Sequence, residues 1–238
     1  MLETPNLSQG LIHYWWVPIQ DNGNFFEECK ATLSKKEQEQ ISFFKFKRVQ
    51  SERIISHGAL RLLLGNYLRM DPKKVRIASH KKGKPYSADD PKLYFNTSHS
   101  GGRCAFAFSR DHEVGIDIEK LRPMKDVDEL IDRNFTPVEQ AYINKLQDDK
   151  LNRFFRYWTL KEAYLKAIGE GMRLAPDSLE FTIGSCGAKL TGTSGYVEHE
   201  DWSFREITPE IGYTGTIAYL GKDTNIHPLT MLLSYSNM

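Results

Sequence analysis

Two carboxylates on one strand face and a third on a mostly buried helix are the groups in this sequence with the clearest chemistry to offer. In Val114-Gly115-Ile116-Asp117-Ile118-Glu119, strand alternation puts Val114, Ile116 and Ile118 on one face and Gly115, Asp117 and Glu119 on the other. Two carboxylates side by side repel unless a cation lies between them, and Gly115, lacking a side chain, leaves room for something to approach. The plain alternative is a face that is simply solvated. From Asn152 to Gly171 the chain reads as one helix, stopped by Gly169 and Gly171. Apolar residues cover more than half of its wheel and leave a narrow polar strip of Arg156, Thr159, Lys166 and Glu170. Glu162 falls instead between Phe155 and Trp158, and Lys161 between Trp158 and Ile168. A charge in such a place must be paired, hydrogen-bonded or metal-bound, because burying it alone costs several kcal/mol. A local Glu162–Lys166 pair at i,i+4 is the bland reading. One hard cation, Mg²⁺ or Mn²⁺, shared by Asp117, Glu119 and Glu162 explains both oddities at once.

Groups that suit phosphate lie elsewhere. Phe95-Asn96-Thr97-Ser98-His99-Ser100-Gly101-Gly102 places small hydroxyl and glycine residues just past a strand. Backbone N–H groups there can form an anion-binding nest, with Ser98 and His99 adding side-chain donors. A catalytic serine–histidine pair is discounted, since adjacent residues rarely aim nucleophile and base at each other. Lys81-Lys82-Gly83-Lys84-Pro85, with Lys47, Arg48 and Arg53, makes the first half cationic where the second half carries the acids. A phosphate-rich ligand with a divalent cation, held between the halves, satisfies both. Taken singly, each basic cluster reads as solvated surface.

The elements that must position these groups follow from periodicity. Leu11 to Pro18 is a strand. Ser34 with Glu37 three residues on is a capping box, opening a helix toward Phe44, and a second helix runs from about Val49 to Tyr67. Short strands are expected at Val75 to Ile77 and Lys92 to Asn96. Cys104 to Phe108 and Glu113 to Glu119 are expected to form a hairpin about Ser109-Arg110-Asp111-His112. Thr136-Pro137-Val138-Glu139 caps another helix, the helix of Glu162 follows, and strands at Leu179 to Ile183, Trp202 to Ile207, Tyr213 to Leu220 and Leu229 to Tyr235 close the chain. The stretch from Leu33 to Ile41 resembles that from Phe135 to Ile143, and each is followed by a long helix and then strands. Strand, helices, strands, stated twice, suggests a duplicated α+β unit and two lobes related by a pseudo-twofold, with a ligand at their interface.

The 238 residues suffice for one large domain or two small ones, and a formal net charge of +1 argues against bulk binding to nucleic acid or a membrane. Cys29, Cys104 and Cys186 are odd in number and lack metal-ligand spacing, which fits a reduced compartment. No basic, then apolar, leader precedes the first strand and no apolar run could span a bilayer, so a cytoplasmic protein is expected.

Gly83-Lys84-Pro85, Phe95 to Ser100, Gly115-Ile116-Asp117-Ile118-Glu119 and Trp158-Thr159-Leu160-Lys161-Glu162-Ala163-Tyr164-Leu165-Lys166-Ala167, in this order and spacing, resemble the 4′-phosphopantetheinyl transferases of the surfactin-synthetase-activating type. The last two motifs together are highly specific, and the likeness spans residues 33–171 and, more weakly, the rest. It implies the family's α+β pseudo-dimer, with an N-terminal lobe of residues 1–111 and a C-terminal lobe of residues 112–238, and a monomer. It also implies transfer of the phosphopantetheine arm of coenzyme A to a serine of an acyl or peptidyl carrier protein of fatty-acid, polyketide or peptide synthesis, releasing adenosine 3′,5′-bisphosphate. On this resemblance Asp117, Glu119 and Glu162 would hold Mg²⁺, and Lys166 would neutralise the α-phosphate and the leaving group. Lys161, Ser98 and His99 would contact phosphate, with His99 on the 3′-phosphate, and Lys84 and Arg53 the nucleotide. Glu162, or alternatively Glu139, would deprotonate the serine. Gln38 and Ile41 stand near where family members often carry lysines for the 3′-phosphate, leaving Lys35, Lys36, Lys45 and Lys47 as candidates to replace them. Two readings of other kinds are a non-catalytic module that binds carrier proteins and a Mg²⁺-dependent pyrophosphatase acting on a free nucleotide.

Overall fold

Side-chain oxygens, in place of a backbone ladder, stitch one strand of this protein to the next at the seam between two similar units. A computed structural model describes residues 5–19, 23–185, 187–193, 201–222 and 224–231. The first unit runs β1 (Leu11–Pro18), α1 (Asn24–Thr32), α2 (Lys35–Ser42), α3 (Lys47–Leu68), β2 (Ile77–Ser79), β3 (Pro85–Ser87), β4 (Tyr94–Ser100) and β5 (Arg103–Ser109). The second repeats that order as β6 (Val114–Lys120), α4 (Val127–Asn134), α5 (Pro137–Ile143), α6 (Lys150–Ile168), β7 (Leu179–Gly184), β8 (Gly187–Thr193), β9 (Trp202–Ile207) and β10 (Tyr213–Leu220), and β11 (Asn225–Thr230) ends it. Strands β1, β5 and β4 form one sheet and β6, β10 and β9 the other in the same relative order, and each unit has its own small hairpin, β2–β3 or β7–β8. The fold is an α+β pseudo-dimer. Strand β11 returns to pair in parallel with β1, so the end of the second unit completes the sheet of the first.

Local signals account for the starts of α2 and α5 and for the end of α6. Ser34 and Thr136 close reciprocal capping boxes with Glu37 and Glu139. Helix α6 ends at Gly169, which is left-handed at φ 71°. Helices α1 and α4 have no side-chain cap bond, and the sequence pattern did not mark them. Each unit has an apolar core, around Leu63, Phe95 and Phe106 in one and Phe154, Tyr164 and Phe181 in the other. A third core, including Ile12, Trp16, Ile116, Ile118 and Ile217, lies between the sheets. Each large apolar side chain so buried contributes about 1.5–3 kcal/mol.

Several expectations change. Residues Thr97 to Ser100 are not a turn past the strand but its second half, paired with β5 from Thr97–Phe106 to Ser100–Arg103. The turn is reduced to Gly101 and Gly102, both at positive φ. A backbone nest over this stretch is therefore excluded, and its residues alternate between the two faces of the strand. The expected hairpin of Cys104 to Phe108 with Glu113 to Glu119 does not form. Both edges of β5 are taken by β4 and β1, and β6 pairs with β10. Asn96 Oδ1 accepts from Ile116 N at 3.0 Å, Ser98 Oγ from Ile118 N at 3.2 Å and Ser100 Oγ from Lys120 N at 3.1 Å. The first two satisfy β6 amides that would otherwise be buried without acceptors. The last strand spans Asn225–Thr230, ahead of the expected stretch, and residues 232–235 of that stretch lie outside the described residues.

Candidate functional site at the seam of the lobes

Gly115 is where the site begins. A Cβ there would press into the backbone carbonyl of Ala163 and stand 2.6 Å from Ala167 N. The room left by its missing side chain is thus filled by the backbone of α6, not by a ligand. With Ala163 and Ala167 also small, the helix lies directly on β6, and Glu162 and Lys166 arrive beside the strand face that carries Asp117 and Glu119. Lys166 does not pair locally with Glu162. Its Nζ donates to Asp117 Oδ1 at 2.6 Å, to Ser98 Oγ at 3.1 Å and to Ile116 O at 3.3 Å. Ser98 Oγ itself donates to Asp117 Oδ1 at 2.9 Å. Ser100 Oγ does the same for Glu119 Oε2 at 2.6 Å, joined by Arg122 at 3.2 Å.

The electrostatics are those of crowded acids. Burial raises the Asp117 carboxyl above its ordinary value, opposed by the Lys166 ammonium and the Ser98 hydroxyl. Burial also raises Glu162, and the charges of Asp117 and Glu119 push it further. The charge of Glu119 thus reaches both Asp117 and Glu162. Asp117 Oδ2 is buried with no hydrogen-bond partner. An orphaned carboxylate oxygen within reach of the charges of two further carboxylates suits a hard divalent cation, which takes oxygen donors and offsets their mutual repulsion. Among the described residues no group of three histidine, cysteine, aspartate or glutamate side chains is placed to hold a metal ion by itself. Oxygens from water and phosphate would complete the ligand shell.

A cleft of about 470 Å³ adjoins this cluster, and Lys166 lines it together with Arg53, His57, Ser98 and His99. Burial and the charges of Arg53 and Lys166 hold the His99 imidazole below its ordinary value, so it is neutral at neutral pH and presents one donor and one acceptor. Of the four lysines considered for the missing family contacts, Lys36 lines the cleft, next to Gln40 and Ser34. His57 and Gln40 line the cleft as well, and the charge of Glu52 reaches His99, though no motif marks these three residues. The spacing Asn96-x-Ser98-x-Ser100 was the available signal that this strand presents a polar row.

Two residues stand apart from the cluster. Lys161 Nζ is 2.6 Å from Glu139 Oε2 and also donates to Asn134 O, Pro176 O and Leu179 O at 3.1, 2.8 and 2.9 Å. Glu139 accepts from Thr136 N at 2.9 Å and Phe181 N at 2.8 Å and is fully buried. Every donor of the ammonium is spent, so it has none for a phosphate, and the carboxylate has no face toward an acceptor hydroxyl. Burial raises Glu139 and lowers Lys161, each opposed by the charge of the other. Lys84 is likewise engaged: it pairs with Glu113, donates to Ala167 O at 2.5 Å and packs on Gly169, holding the end of α6 instead of lining the cleft. Thr159, placed on the polar strip by the wheel, is buried and bonded to Thr216 at 3.0 Å.

Comparison with known proteins gives this geometry a family. Residues 113–218 match the model of the 4′-phosphopantetheinyl transferase superfamily, and residues 15–110 match that of the 4′-phosphopantetheinyl transferase N-terminal region. The chain is 32% identical to 4′-phosphopantetheinyl transferase HetI of Nostoc sp., over 91% of this chain and 92% of that protein. It is 28% identical to 4′-phosphopantetheinyl transferase Sfp of Bacillus subtilis, over 71% of this chain and 74% of that one. A partial structural likeness (TM-score 0.38, 23% identity) relates 45% of this chain to 94% of a holo-(acyl-carrier-protein) synthase from Bacillus anthracis. With two family models covering its two halves in succession and a relative matched almost end to end, the chain belongs to the 4′-phosphopantetheinyl transferase family.

Proposed function

We propose that the protein moves the 4′-phosphopantetheine arm of coenzyme A onto a serine hydroxyl of an apo acyl or peptidyl carrier protein, releasing adenosine 3′,5′-bisphosphate. The reading is carried by Lys166, whose ammonium lines the cleft and at the same time bonds Asp117, so that the cleft ends at the acidic cluster. The working halves are residues 1–111 and 112–238, a division supported by the junction of the two family matches between 110 and 113. Asp117, Glu119 and Glu162 would hold Mg²⁺, or Mn²⁺, which supplies charge neutralisation to a bound pyrophosphate. Arg53, Ser98 and His99 bind the phosphates and nucleotide from the cleft side. Glu162, half-buried and facing the seam, accepts the proton of the serine hydroxyl; Glu139, sealed in its pair, does not. The serine oxygen bonds to the phosphorus bearing the pantetheine, and the bond from that phosphorus to the bridging oxygen breaks. The electron pair stays on the departing 5′-phosphate, which Lys166 Nζ is placed to stabilise. Reduced, buried Cys29 and Cys104 support a cytoplasmic setting, and an internal duplication supports a monomer.

Incubation with coenzyme A, Mg²⁺ and a panel of apo carrier proteins, followed by intact-mass spectrometry, tests this. The expected result is the phosphopantetheine increment on at least one carrier, abolished by a chelator. Coenzyme A cleaved at equal rate with and without a carrier, and no increment on any, would replace transfer by hydrolysis.

A further inference from the structure

We propose that the linker between α2 and α3 is the point where the acceptor protein docks, with Phe43 and Phe46 seating an apolar surface that carries acidic groups. The inference rests on the transfer reading above and adds where the acceptor is gripped. Residues 42–48 are exposed without interruption. Phe43 is 85% and Phe46 67% exposed, so two large rings forgo burial that would stabilise the fold by about 1.5–3 kcal/mol each. Such rings cluster at interfaces more than on free surfaces. Their exposure is not fraying. Phe44 N donates to Ile41 O at 3.1 Å, Gln50 Nε2 to Phe44 O at 2.7 Å and Gln50 N to Phe46 O at 3.1 Å, so the linker backbone is held at both ends. Phe44, 39% exposed, lies under the Arg53 guanidinium at 5.5 Å from the ring centroid. Rigid aromatic anchors bind at small entropic cost.

Charge selects the partner. Lys45 and Lys47 alternate with and follow the rings, and no carboxylate interrupts residues 42–48, while Arg48 pairs with Glu52 at 2.9 Å. The patch therefore complements an acidic surface. A second copy of this chain is disfavoured, because a twofold contact would set the same cations opposite each other. Position completes the case. Arg53, under which the linker is anchored, lines the cleft, and Arg48, Ser51 and Glu52 on the same helix line a second hollow of about 450 Å³. Gly101, Gly102 and Lys120 form the other side of that hollow, next in sequence to Ser100 and Glu119. A protein seated on Phe43 and Phe46 thus lies along α3 with its nearest edge at the open side of the acidic cluster.

The test is Phe43→Ser/Phe46→Ser with an apo acyl carrier protein as the varied substrate. The expected outcome is a KM for the carrier raised about tenfold or more, with kcat and the KM for coenzyme A unchanged. For the wild type, the carrier KM should also rise with added salt. An unchanged carrier KM in the double variant would overturn the proposal. So would a dimer in sedimentation, or binding to phosphatidylserine vesicles, that the substitutions remove while the carrier KM stays put. If the wild type transfers to no carrier, the transfer reading fails by itself. Biolayer interferometry of apo carrier on wild type and variant then decides docking, and equal or absent binding rejects it.

Discussion

Gly115 against Ala167 in the second lobe stands where His13 against Tyr67 stands in the first. The spacing that carries the Ser34 capping box onto that of Thr136 also carries His13, Trp15 and Val17 onto Gly115, Asp117 and Glu119. The buried helix cations match as well: Arg61 bonds Glu37 at 2.7 Å and the carbonyls of Pro72 and Val75, as Lys161 bonds Glu139 and the carbonyls of Pro176 and Leu179. The shared parts are framework. The lobes part company where the long helix meets its strand. In the first, Tyr67 hydroxyl joins His13 Nδ1 and Trp15 Nε1, each at 2.8 Å, in a closed aromatic core. In the second, a glycine lets the helix down onto the strand and brings acids together. Helix α3 makes its own close approach elsewhere, through Gly58 onto Cys29 of α1. Chemistry sits where the repeat is broken. Even the matched glutamates diverge. Desolvation works against ionisation of Glu37, but bonds from His57 and Ser34 and the Arg61 charge hold it down to about 2, whereas burial raises Glu139.

Substitutions that erase the difference between the lobes should have the largest effect. Asp117→Asn or Glu162→Gln should reduce transfer about a thousandfold or more, some 4 kcal/mol of barrier, with the melting temperature of the fold preserved. Initial rates by intact mass at limiting Mg²⁺ check this, and full activity would remove the cation from these residues. Next come the framework cations. Lys161→Met strands a fully buried carboxylate and should cost about 3–5 kcal/mol in urea unfolding, more than Arg61→Met, whose glutamate keeps His57 as a partner. Equal losses would mean that the two pairs are equivalent after all.

The aromatic core of the first lobe should betray itself in acid. Burial, helped by the charge of His227, lowers the His13 imidazole from 6.5 to about 4. The unfolded chain takes up a proton below 6.5 that the folded chain refuses until about 4, so stability held above 6.5 is lost as pH falls through that window. A loss on the order of 3 kcal/mol is expected, and His13→Gln should flatten the pH profile of urea midpoints. The smallest effect should follow Gly115→Ala. Overpacking α6 against β6 should cost about 1–3 kcal/mol and depress kcat, by moving Glu162 and Lys166 away from Asp117. Gly58→Ala, an equally tight place in the other lobe, should cost similar stability and leave kcat closer to wild type. Equal loss of kcat in both would deny Gly115 any role in assembling the site.

Residue pattern alone settled a good deal. The two capping boxes, the long helices, the duplication and the three carboxylates on a strand and a helix could be read because each depends on spacing along the chain. What it could not settle was which partner each group meets across the fold. Lys161 and Glu139 look like site residues on their motifs, yet packing places them against each other and leaves no donor or acceptor to spare. Lys84 was drawn to the end of α6, and the serines of β4 serve as acceptors for the amides of β6. Periodicity reports which face a residue is on, because that follows from backbone geometry repeated every few residues. Which charge neutralises which is decided by distances between strands and helices far apart in sequence, and here by one absent side chain at Gly115 that sets how near the helix can come.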